Sequence, residues 1–276
     1  MEIRHPTHPD QLRGSSTEEL RARYLIEDLF SPTEVRTVYT HQDRVVIGGV
    51  APIRDADISL PTYDPLRSAT FCERRELGII NIGATGTVNV DGDAYRLDNK
   101  DCLYVGRGAI DIVFGSDSDT PAAFYLISTP AHTTYPTALA RFAETAGTEL
   151  GAPEGANVRT LRRYIHLDGI RSCQLVMGIT VLASGSTWNT MPCHTHDRRT
   201  EIYLYTDLPA EHRIVHLMGR PDETHSMIVA DRQAVIAPSW SVHCGCGTHN
   251  YAFVWAMAGE NQAFDDMDQV AISELR

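Results

Sequence analysis

No stretch of the 276-residue chain is apolar for long enough to cross a bilayer as a helix, which takes roughly 20 residues. The opening segment, Met1 to Arg23, is polar, carries both signs of charge and has no apolar signal-peptide core, so a cytoplasmic protein is expected. Basic residues are scarce as well: 24 Lys and Arg face 36 Asp and Glu, a net charge of −12. That balance argues against nucleic acid or an anionic membrane as a partner. A small anionic substrate is still compatible, because a local arginine can override the global sign. The six cysteines (72, 102, 173, 193, 244 and 246) show neither zinc-ribbon pairing nor the density of a disulfide-stapled domain. What remains, 42% hydrophobic and 22% charged, is ordinary globular composition with enough apolar residues for a sizeable core. The length suits one large or two ordinary domains.

Strand signals dominate what is present. One helix is expected early: Ser16-Thr-Glu-Glu19 fits a capping box, and Leu20, Tyr24 and Leu25 follow at helical spacing. It should run over about 17–28 and stop at Ser31-Pro32. From Glu34 onward, short β-rich runs alternate with turn residues. Asp91-Gly92, between Gly86–Val90 and Asp93–Leu97, is a tight-hairpin signal. Residues 34 to 130 therefore read as an all-β barrel or sandwich. The alanine-rich stretch from Pro136 to Leu150, with Leu139 and Phe142 at helical spacing, predicts a connecting helix, and Gly151-Ala-Pro-Glu-Gly155 a linker. Strand character resumes at Gln174–Leu182, Ile214–Met218, Met227–Val229, Ala234–Ala237 and Tyr251–Ala256. The expected division is an N-terminal helical extension over 1–33, a first barrel over 34–135, a helical linker over 136–165, and a second barrel with its tail over 166–276. Glu73-Arg-Arg-Glu76 echoes Asp197-Arg-Arg-Thr-Glu201, which hints at a duplication. The first copy has no His-x-His, so its barrel is expected to hold no metal.

The chemistry concentrates between residues 185 and 205. His194-Thr-His196 places two imidazoles at i and i+2, which share a face in a strand and diverge in a helix. Glu201 follows after a short charged turn, and in the next strand Glu201, Tyr203 and Tyr205 alternate with Ile202 and Leu204. His243 arrives later, five positions after Pro238. Three imidazoles and a carboxylate, His194, His196, Glu201 and His243, make a credible site for zinc, manganese or iron. Cys193 and Cys244 adjoin ligands but sit at the opposite strand parity. No catalytic base stands out: Tyr203 and Tyr205 would need their phenol pKa lowered from about 10 to serve at neutral pH. Arg198, Arg199, Arg162 and Arg163 are candidates to grip an anionic substrate. Asp265 and Asp266, His132, His225 and His249, and the three tryptophans Trp188, Trp240 and Trp255 read more simply as turn, surface and core residues.

His-x-His-x4-Glu followed by Pro-x4-His resembles the metal signature of the cupins, with Trp240 standing where many cupins carry glycine. Longer words narrow the likeness. Thr187-Trp-Asn-Thr-Met-Pro-Cys-His-Thr-His196, Ala131-His-Thr-Thr-Tyr-Pro136, Phe71-Cys-Glu-Arg-Arg-Glu-Leu-Gly78 and Gly259-Glu-Asn-Gln-Ala-Phe-Asp-Asp-Met-Asp268 resemble the 5-keto-4-deoxyuronate isomerases over nearly the whole chain. The resemblance implies a mainly β bicupin: two double-stranded β-helix (jelly-roll) barrels with a few short helices. It further implies one zinc per subunit on His194, His196, Glu201 and His243, and a homo-oligomer, often a hexamer. The implied reaction interconverts 5-dehydro-4-deoxy-D-glucuronate and 3-deoxy-D-glycero-2,5-hexodiulosonate during pectin and uronate breakdown. Alternatives are the related 5-deoxy-glucuronate isomerase of inositol breakdown, a cupin iron dioxygenase, or a sugar-binding sensor without turnover.

Overall fold

Alternation of apolar and polar residues runs through most of the chain, and it folds largely as antiparallel strands in a computed structural model that describes residues 1–276. Two compact units form, each from interleaved segments. One comprises residues 1–4, 28–145 and 164–177; the other comprises 5–27, 146–163 and 178–276. No helix is long and apolar enough to cross a membrane.

In the first unit, a seven-stranded sheet is ordered Glu2–Arg4, Arg36–Thr40, Val46–Val50, Phe124–Pro130, Arg75–Asn81, Cys102–Val105, Ala138–Ala140. A four-stranded sheet is ordered Ile58–Ser59, Ile112–Ser116, Gly86–Val90, Asp93–Leu97. The Asp91-Gly92 hairpin forms as expected: Val90 pairs with Asp93, and both turn residues take the positive φ that such a turn requires, 52° and 95°. Apolar side chains fill the interior. Leu77, Ile79, Val88, Leu103, Val105, Phe114 and Phe124 belong to one buried cluster. Burial of this kind contributes roughly 25 cal/mol per Å² of apolar surface.

Glu76 has the opposite parity to Leu77 and Ile79 and is fully buried on the other face of its strand. Its carboxylate accepts hydrogen bonds from the Tyr104 hydroxyl (2.8 Å), the Thr129 hydroxyl (3.0 Å) and the backbone N–H groups of Cys173 (2.6 Å), Gln174 (2.9 Å) and Leu175 (2.9 Å). Five donors on two oxygens are what allow a carboxylate to sit out of water.

The second unit repeats the plan. Its seven-stranded sheet is ordered Gly147–Leu150, Arg159–Ile165, Val176–Leu182, Ala252–Gly259, Arg199–Thr206, Ala234–Ala237, Leu25–Ile26. The four-stranded sheet is ordered Trp188–Asn189, Val242–Gly247, Ile214–Arg220, Glu223–Val229. The mainly β, two-barrel expectation holds. Thr17–Tyr24 is the one α-helix, started by the Ser16/Glu19 capping box and burying Leu20 and Tyr24. It stops short of Asp28 because Leu25 and Ile26 leave the helix to pair with Val235 and Ala234.

A second correction concerns 136–150. No helix forms there. Ala138–Ala140 pairs with Cys102–Tyr104, and Gly147–Leu150 pairs with Arg159–Arg162. Between them the Asp101 carboxylate takes hydrogen bonds from Arg141 Nη1 (2.7 Å) and the Phe142 N–H (2.8 Å). Sheet edges and a buried acid outweigh the alanine propensity, which is worth less than about 1 kcal/mol per residue. The segment to 165 likewise contains the strand Arg159–Ile165 and a short 3-10 turn, Pro153–Gly155. It is not a helical linker.

Replacing Glu76 with alanine strands three buried backbone donors. We expect the first unit to lose more than about 3 kcal/mol of stability, read as a lower midpoint in chemical denaturation. An unchanged midpoint would show that these five hydrogen bonds contribute nothing net.

Candidate metal centre

Three pieces of the second unit bring the candidate ligands together. His194–Thr195 is a two-residue strand paired with Asp268–Gln269, and the His196 N–H donates to the Ser239 carbonyl at 3.1 Å. Glu201 projects inward from Arg199–Thr206, between Ala237 and Met257 on the neighbouring strands. After Pro238, a turn closed by Ser241 N–H to the Pro238 carbonyl (2.9 Å) delivers His243 at the start of Val242–Gly247. All four side chains are buried, and the four ligand atoms lie within 4.8 Å of one another.

The facing atoms are His194 Nε2, His196 Nε2, His243 Nε2 and Glu201 Oε2. Separations are 3.1 Å for His194–His196, 3.1 Å for His194–His243, 2.9 Å for His196–Glu201 and 2.7 Å for His243–Glu201. Their outer nitrogens fix the tautomers. His196 Nδ1 lies 2.8 Å from the Asp266 carbonyl and His243 Nδ1 3.1 Å from the Ser241 carbonyl. A carbonyl can only accept, so each Nδ1 carries the hydrogen and each Nε2 turns a lone pair inward.

A single proton cannot relieve this crowding. Burial opposes a charge on His243, but Glu201 outweighs it and raises the imidazole pKa. A proton there would satisfy the 2.7 Å contact and leave His196 and Glu201 lone pair to lone pair. Burial, with His243 beside it, drives His194 down to about 2, so that ring is neutral. Burial also disfavours the Glu201 anion, yet His243 and His196 hold its pKa below the usual carboxylate range. A divalent cation answers all four acceptors at once. Bonds of about 2.1 Å would set neighbouring ligand atoms roughly 3.0–3.4 Å apart, and the observed spacing lies just inside that. The residues fit a metal.

A C-terminal strap, residues 261–270, holds the centre from outside. Arg199, only 1% exposed, donates to the Ala263 and Asp266 carbonyls, both at 2.6 Å. Arg198 Nε meets both Asp266 carboxylate oxygens, at 2.8 and 2.9 Å. That bond, with a second from Asn261, keeps the Asp266 carboxyl well below its ordinary pKa range. Both arginines are thus fasteners of the strap that orients His196, and neither lines the cavity. Arg163 is stacked over Phe264, 5.2 Å from the ring centroid. Cys193 and Cys244 form no part of the ligand group; they pack in a small buried cluster with Val242 and Val270. His132, His249 and Asp265 are exposed, while His225 is half-buried.

A cavity of about 290 Å³ opens on His194 and Glu201. Tyr203 lines it, its hydroxyl 2.8 Å from the Thr190 hydroxyl, and burial lifts its pKa well above the ordinary phenol value. Tyr205 turns into the core, 2.7 Å from His216 Nδ1. Trp255 lines the cavity too, with its indole N–H on the Thr180 hydroxyl at 3.1 Å. Arg159 is the charged cavity residue that sequence reasoning missed. The i, i+2 spacing that sets Arg159 and Leu161 on one strand face was its signal, hidden while the segment read as helical.

The pattern of the KduI/IolB family matches residues 32–274. The chain belongs to the KduI/IolB family. A relative from Kineococcus radiotolerans, named 4-deoxy-L-threo-5-hexosulose-uronate ketol-isomerase, is 56% identical over 280 residues, covering 100% of both chains. One of the same name from Bacillus subtilis is 49% identical over 276 residues, again covering 100% of both. Among solved structures, an iolB-like protein from Salmonella typhimurium superposes with a TM-score of 0.68 at 15% identity, over 82% of this chain and 87% of that one. A Bacillus subtilis oxalate decarboxylase mutant does so at 0.58 and 11% identity, over 83% and 74%. At these identities the structural matches speak for the fold of this family member alone.

Replacing Arg199 with methionine frees the strap from His196. Loss of such an outer contact is expected to weaken metal binding roughly 10- to 100-fold in a chelator competition. Unchanged affinity in a folded variant would mean that the strap does not orient the ligand.

Proposed function

We propose that this family member is a ketol-isomerase acting on 5-dehydro-4-deoxy-D-glucuronate, the 4-deoxy-L-threo-5-hexosulose uronate of its relatives' names. The product is 3-deoxy-D-glycero-2,5-hexodiulosonate, formed during the breakdown of pectin and other polyuronates. His194, His196, Glu201 and His243 hold a zinc ion in this reading. The observation that carries it is a buried set of three imidazoles and one carboxylate opening on a cavity near the small end of small-molecule sites, roughly 300–1,000 Å³.

An aldose–ketose interconversion removes a proton from the carbinol carbon beside the carbonyl, returns one to the former carbonyl carbon, and moves the hydroxyl proton from the carbinol oxygen to the former carbonyl oxygen. The hard species is an enediolate. A bound divalent cation supplies Lewis-acid stabilisation of developing oxyanion charge. The protein's own residues do the rest. Phe253, Trp255, Met257 and Phe264 wall the cavity and exclude water. Tyr203 and Thr190 present hydroxyls to sugar oxygens. Imine formation through lysine finds no residue here: Lys100 is the chain's one lysine and does not line the cavity.

The uronate reading is favoured over the 5-deoxy-glucuronate isomerase reading by 56% and 49% identity over full length to relatives named for it. An iron dioxygenase would take up oxygen with iron bound, which metal analysis and an oxygen electrode would reveal. The resemblance to the 5-keto-4-deoxyuronate isomerases also leads us to propose a homo-hexamer, checked by sedimentation.

Proton NMR of the purified protein with the unsaturated-uronate-derived keto acid in heavy water should show the 2,5-diketo acid forming. No conversion would reject the assignment. Chelation should lower turnover roughly 1,000-fold or more in protein that stays folded, and zinc should restore it. Full activity after metal removal would exclude the Lewis-acid role.

A further inference from the structure

The cavity is charged in only two places. Glu201 supplies one charge and is already committed to the cluster of imidazoles. The other is Arg159, on the strand Arg159–Ile165. Hydrophobic side chains make up most of the remaining wall. We propose that Arg159 grips the carboxylate of the substrate and thereby sets the site's preference for sugar acids over neutral sugars. This rests on the isomerase reading for the identity of the substrate, though not for the chemistry of the anchor.

Three observations carry it. First, Arg159 is uncommitted where other arginines of its unit are spent. Arg198 pairs with Asp266, Arg21 with Glu27 and Arg13 with Glu223, and Arg199 gives both terminal nitrogens to carbonyls. Arg159 meets no carboxylate. A guanidinium has five N–H donors. One of them reaches the Asn157 carbonyl at 2.7 Å, and no other bond holds the group. Second, the side chain is half-buried, so its charge is partly stripped of water without compensation. Burial lowers its pKa, and the nearby Tyr203 and Tyr251 phenols only partly offset this. A carboxylate entering the cavity restores what burial removed, and the planar fork accepts it through two parallel hydrogen bonds. Third, the fork stands on a rigid element. Arg159 pairs with Leu150 in a strand ladder, and Leu150 and Leu161 flank it on the cavity wall. A fixed anchor at the charged end of the substrate leaves its carbonyl end for the cluster that His194 and Glu201 present to the same space.

A neutral sugar of the same length would leave the guanidinium desolvated and unpaired, and discrimination follows from that penalty as much as from the attraction. Arg162, Arg163, Arg198 and Arg199, each plausible from sequence, do not line the cavity.

The test compares a charged and an uncharged ligand that cannot react. D-gluconate and D-glucitol share a carbon skeleton, have no carbonyl and differ in the carboxylate. Calorimetry on the metal-loaded wild type should show gluconate binding more tightly than glucitol. In Arg159→Met, gluconate affinity should fall roughly 10- to 100-fold while glucitol affinity stays put. Arg159→Lys should recover part of the loss. With the deoxyuronate itself, KM should rise by the same factor, with a smaller change in kcat and an unchanged metal content. The proposal is overturned if wild type does not distinguish the two ligands. It is equally overturned if Arg159→Met weakens both ligands alike, or if it leaves KM unchanged. A wild type that prefers gluconate but does not isomerise the deoxyuronate would sink the isomerase reading and leave the anion anchor standing.

Discussion

Four electron-pair donors crowded into a space without water are the constraint on which the rest of this structure depends. Four of the contacts among His194, His196, His243 and Glu201 measure 2.7 to 3.1 Å, and the carbonyls behind two of the rings force the lone pairs inward. Such an arrangement costs folding free energy unless positive charge sits among the donors. The surrounding protein is built to keep it. Three strands, each from a different sheet, supply the backbone, and a strap from the C-terminus closes over it, riveted by Arg198 and Arg199.

The two units show how narrowly such a site is specified. They share strand order, and the strand Arg75–Asn81 occupies the place of Arg199–Thr206. Leu77 lies between Ser128 and Val105 as Glu201 lies between Met257 and Ala237. The acid of the first unit, Glu76, comes one residue sooner after its pair of arginines, and in a strand that single residue moves it to the opposite face. There it fastens residues 173–175, while leucine fills the interior. The same local words thus build a candidate ligand in one barrel and a structural clamp in the other.

Arginine roles illustrate why charge in a sequence is a poor guide to ligands. Arg198 and Arg199 sit beside the candidate ligands, and adjacency suggested substrate contact. Their guanidiniums face away from the cavity because the strap offers carbonyls and a carboxylate at shorter reach. Arg159 stands 35 positions before His194 in a segment that reads as helix, and only the sheet brings it to the cavity. The missed strands at 138–140 and 147–150 have the same cause. Alanine and leucine at helical spacing state a local preference, which partner strands override.

By itself, the sequence determined the elements whose signal is local. Period-two alternation, the Asp91-Gly92 turn, the Ser16/Glu19 cap and the i, i+2 pair His194/His196 are written in neighbouring residues, and each folded as the pattern requires. It also named the four candidate ligands, because their types and spacing are unusual enough to stand out from chance. Tertiary structure alone decided which arginine enters the cavity, which acid stays structural, and which way each imidazole turns its lone pair. Those outcomes depend on partners 30 to 100 residues away, brought into register by sheet pairing, and no local preference of a few tenths of a kcal/mol encodes them.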